Sequence, residues 1–207
     1  MIKSLIGKVI TLTLALSTIL IVYCKTEKKT SLQPDNLAGK DSYVWSGNLQ
    51  ANYGTSDSLI VGEYQAGTNL QYQTLIEFTG LSEYQGVELQ TAVLELYCNN
   101  TDTSSAPIYV CRATGSWNEE TLRWPYAPRM DTSIVDTGAW PTENTWWSVD
   151  VTNIVSAWLS DTATNFGFYI YIDTVTTSTE QDWTSWFSSD YADDETLHPK
   201  LTLEYYK

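Results

Sequence analysis

The segment TAVLELYC, residues 91–98, places Leu94, Leu96 and Cys98 at every second position. The residues between them are a glutamate and a tyrosine, so one side of the segment is apolar and the other carries polar groups. This period of two is typical of a β-strand with one buried face. The same alternation recurs at residues 108–111, 147–151, 168–172 and 201–205.

Turn-forming residues separate these candidate strands. The clearest stretch is NNTDTSSAP, residues 99–107, which is rich in Asn, Asp, Ser and Pro. One helical pattern occurs over residues 151–159, where Thr152 stands at a capping position and four apolar side chains share a face, namely Ile154, Val155, Trp158 and Leu159. The sequence therefore predicts an all-β fold, an antiparallel β-sandwich of jelly-roll type with one short helix.

The composition bounds both the size and the partners of the chain. It has 207 residues, with 25 acidic and 11 basic side chains and a formal net charge of -14. This length predicts one domain with one core. The negative balance disfavours nucleic acid and anionic lipid surfaces, because both would be repelled. Nine Trp and fourteen Tyr exceed what one core of this size usually needs, so we expect some rings at the surface.

Residues 1–24 are typical of an export signal. Two lysines precede an apolar run that ends at Tyr23, and this run is short for a membrane span but long enough for a signal peptide. Cys24 resembles the lipid-bearing Cys of bacterial lipoproteins, although Tyr23 stands where that pattern has a small residue. We expect an exported chain that is tethered to a membrane by a lipid on Cys24 or by an uncleaved N-terminal anchor, with full secretion as a third alternative.

Residues 25–40, KTEKKTSLQPDNLAGK, are charged and polar and are interrupted by Pro34 and Gly39. They carry too little apolar surface to fold alone, so we expect a flexible linker there. The β-sandwich domain is then expected over residues 41–207.

A series of short motifs within residues 41–207 follows the order of one known family. The motifs are DSYV (41–44), NYG (52–54), LIVG (59–62), TLIEF (74–78), TAVLELY (91–97), WNEETLRW (117–124), WSVDVT (147–152), NFGF (165–168) and HPKLTLEY (198–205). Together they resemble the DNRLRE domain, also called the disaggregatase-related domain or family 96 carbohydrate-binding module. The resemblance implies a jelly-roll β-sandwich of extracellular or cell-wall proteins that binds polysaccharides, with alginate-like polymers as ligands of some members.

Sugar recognition needs exposed flat rings beside polar groups, because the C–H face of a sugar stacks on an aromatic plane while its hydroxyls form hydrogen bonds. Four motif residues are expected to be structural, namely Trp117, Trp124, Trp147 and Trp158. The candidate sugar-binding rings lie at the opposite strand parity, in loops or in polar stretches, and are Trp140, Trp146, Trp183, Trp186 and Tyr126. The alternative is that these rings cover the edges of the sandwich and serve stability.

An anionic polysaccharide would need a local positive site on so acidic a chain. Arg123 and Arg129 are the candidates for such a site, with Arg112 close to them in sequence.

A run of acidic residues suggests a metal site. Asp190, Asp193, Asp194 and Glu195 lie within six residues, and carboxylate oxygens at loop spacing are the ligands that Ca²⁺ requires. The spacing of an EF-hand loop does not occur. A structural calcium ion is therefore one hypothesis, and a solvated acidic loop is the other.

Cys98 and Cys111 are the two cysteines of the expected domain, and an exported chain permits a disulfide. Cys98 shares its parity with Leu96, whereas Cys111 has the parity opposite to that of Ile108, so a simple hairpin turns the two thiols to different faces. A disulfide would need a bulge that resets the register.

Catalysis finds little support in the sequence. His198 is the sole histidine, so neither a His-based triad nor a multi-His metal centre can be assembled. A carboxylate pair drawn from Glu119, Glu120 or Asp182 could still act on a glycosidic bond, but Glu119 is expected instead to accept hydrogen bonds from a neighbouring turn. We predict non-catalytic polysaccharide binding at the cell surface. The alternatives are a surface adhesion or structural protein with a protein partner, and a glycan-cleaving enzyme.

Overall fold

The structure is a computed structural model that describes residues 25–34, 40–64, 70–173 and 182–207. The predicted export segment, with Cys24, lies outside these ranges. The strands are β1 Glu27–Leu32, β2 Lys40–Trp45, β3 Ser58–Tyr64, β4 Leu70–Glu77, β5 Glu88–Thr101, β6 Ile108–Ala113, β7 Met130–Gly138, β8 Trp146–Asp150, β9 Phe168–Ile172, β10 Asp182–Phe187 and β11 Lys200–Tyr206. The helical elements are α1 Thr152–Leu159 and three short 3₁₀ turns, at Leu81–Tyr84, Trp124–Tyr126 and Glu195–Leu197. Within the described ranges, none of the helices has the length and apolar character needed to cross a bilayer.

All the strand pairs are antiparallel. The strands form one curled sheet in the order β1-β11-β5-β10-β3-β4-β9-β6-β7, with β2 beside β4 and β8 beside β5. The long strand β5 joins the two halves, because its first part pairs with β11 and β8 while its end pairs with β10. The predicted all-β sandwich fold is confirmed.

The main core lies between the two halves of the sheet. Leu94, Leu96 and Cys98 are fully buried in it, so the alternation in residues 91–98 does mark one buried face. The other predicted strands add Ile108, Val110, Trp147, Val149, Phe168, Ile170, Ile172, Leu201 and Leu203 to the same cluster. Because a fully buried apolar side chain contributes about 1.5–3 kcal/mol, this cluster is the largest source of stability in the fold.

The predicted helix is confirmed as α1. Its apolar face packs on the main core through Ile154, Val155, Trp158 and Leu159. Thr152 does not cap the helix as expected, because it is the first helical residue and its N–H donates to Asp150 Oδ1 at 2.9 Å. The Thr152 hydroxyl instead accepts the N–H of Ala92, which ties the helix to β5.

A second, smaller apolar cluster lies on the outer face of β2, β4, β6 and β9. Loop residues 114–129 cover it, and the cluster comprises Val44, Leu75, Cys111, Ala113, Trp117, Leu122 and Tyr169. This part of the sheet is therefore packed on both of its faces.

Cys98 and Cys111 are free thiols that lie in different clusters. Cys98 belongs to the main core and Cys111 to the outer cluster, so the expected opposite orientation of the two thiols is confirmed. Burial raises the pKa of the Cys111 thiol to about 12 and also raises that of Cys98. Both thiols are therefore protonated and unreactive near neutral pH.

Strand β1 occupies part of the predicted linker. Glu27–Leu32 pairs with β11 along its whole length, and Thr26 and Lys207 exchange two backbone hydrogen bonds beside it. The prediction of a flexible linker over residues 25–40 is therefore wrong for this segment. The physical reason is that an edge strand is held by backbone hydrogen bonds to its neighbour and needs little apolar surface of its own.

Candidate functional site

Four aromatic side chains form a continuous row on the outer face of the sheet. Trp146 of β8 meets Tyr97 of β5 edge to face, with ring centroids 5.5 Å apart. Tyr97 lies nearly parallel to Phe187 of β10 at 6.0 Å, and Phe187 stacks on Tyr191 at 3.7 Å. All four rings are partly exposed. We call these four residues the aromatic row.

Strand parity explains why three of these rings point away from the core. Each of them is adjacent in its strand to a core residue, and neighbours in a strand point to opposite faces. The pairs of core and row residues are Leu96 with Tyr97, Trp147 with Trp146, and Trp186 with Phe187. Tyr97 and Trp146 also stand directly opposite each other in the β5–β8 ladder, which fixes their contact.

Polar groups border the aromatic row at both ends. Lys200 Nζ lies 4.1 Å from the centroid of the Trp146 ring, a cation–π contact that orients the indole. The Tyr97 hydroxyl donates to the carbonyl oxygen of Asn144 at 3.0 Å. At the far end, Tyr191 lines a cavity of about 330 Å³ whose polar side chains are Gln33, Ser189, Asp190, Glu195 and His198.

Three carboxyl groups meet beside this cavity, and we call them the acidic trio. Asp41, Glu119 and Asp190 each place an oxygen within 4.8 Å of the others. Asp41 begins the buried part of β2, Glu119 comes from loop 114–129, and Asp190 follows β10. Glu119 Oε1 accepts the backbone N–H of Asp41 at 2.8 Å, and Asp41 Oδ2 accepts that of Ser189 at 2.9 Å.

Burial is the main cause of the raised pKa values of the three carboxyl groups in the acidic trio. It raises the pKa of Asp41 to about 7, and the nearby negative charges of Glu119 and Asp190 add to this shift. Burial likewise raises the pKa of Glu119 and of Asp190. The free carboxyl groups are therefore unfavourably placed as anions unless a positive charge joins them.

The predicted sugar-binding rings differ in location and exposure. Trp146 lies in the aromatic row, and Tyr126 is 74% exposed on loop 114–129. Trp183 is partly exposed on β10. Trp140 is half-buried against the main core, and its indole N–H donates to Thr101 Oγ1 and to the carbonyl oxygen of Asp102.

The prediction that Trp186 is an exposed sugar-binding ring is wrong, because its side chain is fully buried in the main core. The polar stretch that surrounds this Trp in the sequence favoured exposure, but it forms strand β10. In a strand, positions 183 and 186 fall on opposite faces, so only one of the two indoles can face solvent.

The four motif Trp residues expected to be structural are all packed. Trp117, Trp147 and Trp158 are buried, and Trp124 packs, half-buried, against the outer cluster. The indole N–H of Trp117 donates to the carbonyl oxygen of Phe166, and that of Trp147 donates to Ala139. The three buried rings are held by the fold and offer no face to a ligand.

Arg123 and Arg129 lie on the loop that carries Tyr126, whereas Arg112 lies in β6. Arg112 forms an ion pair with Asp131. Hydrogen bonds from Ser133, together with this ion pair, hold the pKa of the Asp131 carboxyl at about 2. Arg123 is half-buried and Arg129 is exposed. Of the three arginines, Arg112 is held by its ion pair in the sheet, and only Arg123 and Arg129 belong to the loop.

The acidic run predicted to hold calcium is not gathered into one site. Asp193, Asp194 and Glu195 are exposed, and Asp194 Oδ1 accepts the N–H of Thr196 at the start of a 3₁₀ turn. Of the four residues, Asp190 alone joins other carboxylates, in the acidic trio.

The carboxylates considered for catalysis are dispersed. Asp182 is buried in β10, Glu120 is exposed, and Glu119 belongs to the acidic trio. The expected hydrogen bond to Glu119 exists, although its donor is Asp41 of β2 and not a neighbouring turn. His198 Nε2 lies 2.7 Å from the carbonyl oxygen of Tyr191, so the imidazole supports the turn that carries this ring.

Sequence reasoning missed Tyr97, Phe187 and Tyr191 of the aromatic row and Asp41 of the acidic trio. Parity alone could have identified Tyr97, because it has the parity opposite to that of the core residues around it. Asp41 follows no local pattern of a metal ligand, since its partners are far away in the chain.

The family model of carbohydrate-binding module family 96 matches residues 35–205, which is most of the chain. A comparison with curated proteins finds no match.

Proposed function

Because the chain belongs to carbohydrate-binding module family 96, we propose that it binds a polysaccharide on the aromatic row and does not cleave it. Membership of this family supports a general role in carbohydrate binding. The proposal adds the surface that does the binding, the polymeric nature of the ligand and the absence of catalysis.

The continuity of the aromatic row carries this proposal. Four partly exposed rings follow one another at centroid separations of 5.5, 6.0 and 3.7 Å across three strands. Flat rings supply the apolar faces on which the C–H faces of sugars stack. Phe187 and Tyr191 are stacked face to face and therefore offer one platform together. Because the row continues from this pair to Tyr97 and Trp146, it favours an extended polymer, whose separate sugar units can contact separate parts of the row, over a single small sugar.

The polar groups around the aromatic row supply the hydrogen bonds that a sugar also needs. At the Trp146 end, the Lys200 ammonium lies 4.1 Å from the indole centroid. Gln33, Asp190 and His198 line the cavity at the Tyr191 end. Such groups orient a ligand and select among polymers.

The rigid sheet supports a role in binding without bond cleavage. Three of the four rings stand on strands, which hold a fixed spacing, and the row presents aromatic faces that neither donate nor accept protons at a glycosidic oxygen. Incubation with the bound polymer should therefore release no reducing ends. Their release would show a glycan-cleaving enzyme.

We place this binding at the cell surface. The support is the export pattern of residues 1–24, with Cys24 after the apolar run. A lipid or an N-terminal anchor would then hold the module at the outside of a membrane.

The row is tested by binding measurements on the full chain against a panel of polysaccharides, with affinity electrophoresis as the readout. We expect Trp146→Ala and Tyr191→Ala each to weaken binding by about tenfold, because one stacking partner contributes about 1 kcal/mol or somewhat more. The matched control is Tyr109→Ala, which removes a partly exposed ring stacked on Tyr171 at 5.3 Å elsewhere in the sheet. This control should bind as the wild type does.

Variants of loop 114–129 test whether the ligand binds on this loop instead of on the aromatic row. If Tyr126→Ala, or Arg123→Gln combined with Arg129→Gln, abolishes binding while the row variants bind normally, the ligand lies on the loop and the proposal is wrong. Capture of a protein partner without retention by any polysaccharide would favour the adhesion alternative.

A further inference from the structure

The acidic trio joins three segments that are far apart in the chain. Asp41, Glu119 and Asp190 bring carboxylate oxygens to within 4.8 Å of one another. Like charges at this distance repel strongly where water is largely excluded. A fold that gathers them needs a compensating positive charge or a bound proton.

One oxygen of the trio has no partner in the protein. Asp41 is 1% exposed, and its Oδ2 accepts the N–H of Ser189, but its Oδ1 is buried without a hydrogen bond. A buried carboxylate oxygen that makes no hydrogen bond destabilises the fold, because its lost hydration is not replaced. This oxygen is buried and unpartnered irrespective of the clustering of the carboxyl groups, and it points to a bound ligand.

Among the described residues, no cation forms an ion pair with the trio. The ion pairs within the described ranges are Lys25–Glu88, Lys29–Glu204, Lys40–Glu77 and Arg112–Asp131, and none includes a member of the trio. Lys40 is the adjacent lysine, and its Nζ is held 2.9 Å from Glu77 Oε2 and 2.8 Å from the carbonyl oxygen of Trp117.

We propose that Asp41, Glu119 and Asp190 bind one divalent cation, and that the fitting ion is Ca²⁺. The three donors are carboxylate oxygens, which are hard ligands, and the group contains neither His nor Cys, so zinc and copper are disfavoured. Ca²⁺ accepts six to eight oxygen ligands in flexible geometry, whereas Mg²⁺ demands a near-ideal octahedron. This site differs from the acidic run at residues 193–195.

The cation would fasten the turn that carries Tyr191. Asp190 precedes this residue directly, and the N–H of Ser189 already donates to Asp41. Binding would therefore clamp this turn to β2 and to the loop that carries Glu119. The consequence for sugar binding rests on the proposed function, because it assumes that the polysaccharide uses the Tyr191 ring.

The site itself is tested without any sugar. The full chain is freed of metal with a chelator and titrated with CaCl₂, with isothermal titration calorimetry and thermal unfolding as the readouts. We expect one Ca²⁺ per chain and an unfolding temperature that rises with Ca²⁺ and falls again on chelation. Asp190→Asn and Glu119→Gln should each weaken Ca²⁺ binding at least about tenfold.

The Glu119→Gln variant and an Asp193 control distinguish loss of the Ca²⁺ ligand from other effects of the substitutions. Gln at position 119 retains an oxygen that can accept the Asp41 N–H, so loss of Ca²⁺ binding would not reflect loss of that hydrogen bond. Asp193→Asn is the matched control, because it removes one exposed acidic charge close to Asp190 and should bind Ca²⁺ as the wild type does. Failure of the wild type to bind Ca²⁺, or an equal loss in Asp193→Asn, would overturn the proposal.

Polysaccharide binding in the presence and absence of Ca²⁺ tests the link between the two surfaces. Weaker binding after chelation, restored by Ca²⁺ in the wild type and not in Asp190→Asn, supports the clamp. If polysaccharide binding is the same with and without Ca²⁺ while calorimetry shows that the ion is bound, the clamp is contradicted and the cation site is still supported. Ca²⁺ binding without any polysaccharide binding would contradict the proposed function alone.

Discussion

At the scale of single residues, Trp186 shows how strongly one buried ring supports this fold. Its side chain is fully buried and packs on Trp147, with ring centroids 5.3 Å apart. We expect Trp186→Ala to lower the free energy of unfolding by about 3–5 kcal/mol, because the sheet cannot close over so large a cavity. Denaturant titration followed by circular dichroism measures this loss.

Trp183 provides the comparison on the same strand. It is partly exposed and opposes Gly62 in the ladder with β3. Its replacement by Ala should cost about 1 kcal/mol, since solvent fills the space that the ring leaves. Equal losses for the two variants would show that Trp186 does not occupy the main core.

Parity explains which residues could be predicted from the sequence. Regular alternation correctly placed Leu94, Leu96 and Cys98 in the core and turned Cys111 to another face. The prediction for Trp186 is wrong because Asp182, Thr184 and Ser185 make its surroundings polar in sequence, and a polar stretch favours exposure. They are buried in β10, where Ser185 donates to Asn99 and Asp182 opposes Glu63.

At the scale of secondary structure, β1 gives a testable difference between a linker and a strand. Removal of Glu27–Leu32 deprives β11 of its edge partner and uncovers Leu32, which packs on the main core. A chain that begins at residue 40 should therefore be less stable than one that begins at residue 25, by about 2 kcal/mol. Denaturation midpoints of the two chains measure the difference.

The exposed edge gives this comparison a second readout. An unpaired β11 presents a row of free backbone groups to other chains, so the shorter chain should also self-associate in sedimentation experiments. Equal midpoints and equal sedimentation would show that residues 27–32 contribute nothing to the fold and behave as the linker expected from composition.

The composition of residues 25–40 wrongly predicted a linker where β1 lies, and it does not predict the acidic trio. Both failures have the same physical reason. Both depend on partners that are distant in the chain, since β1 pairs with β11 and Asp41 meets Glu119 and Asp190. Hydrophobic periodicity reports only whether a segment buries its own face. It cannot show which backbone edge or which carboxylate will lie next to it.

At the scale of the whole molecule, the aromatic row is a product of topology. Trp146, Tyr97 and Phe187 become neighbours only because β8 pairs with one part of β5 and β10 with another. The motif resemblance predicted the sandwich and the family, because motif order reflects the entire chain. It could not predict the row, because Phe187 and Tyr191 lie outside the motifs.

The position of β1 sets how far the domain would stand from a membrane if Cys24 carries the proposed lipid. Lys25 alone separates Cys24 from Thr26, whose backbone pairs with Lys207. A lipid on Cys24 would hold the domain within about 10 Å of the membrane surface, because an extended chain spans about 3.3–3.6 Å per residue. We expect Cys24→Ser to move the chain from the membrane fraction to the soluble fraction on cell fractionation, while Lys25→Ala stays with the membrane. Retention of Cys24→Ser in the membrane fraction would indicate an uncleaved anchor, and a soluble wild type would contradict both forms of tether.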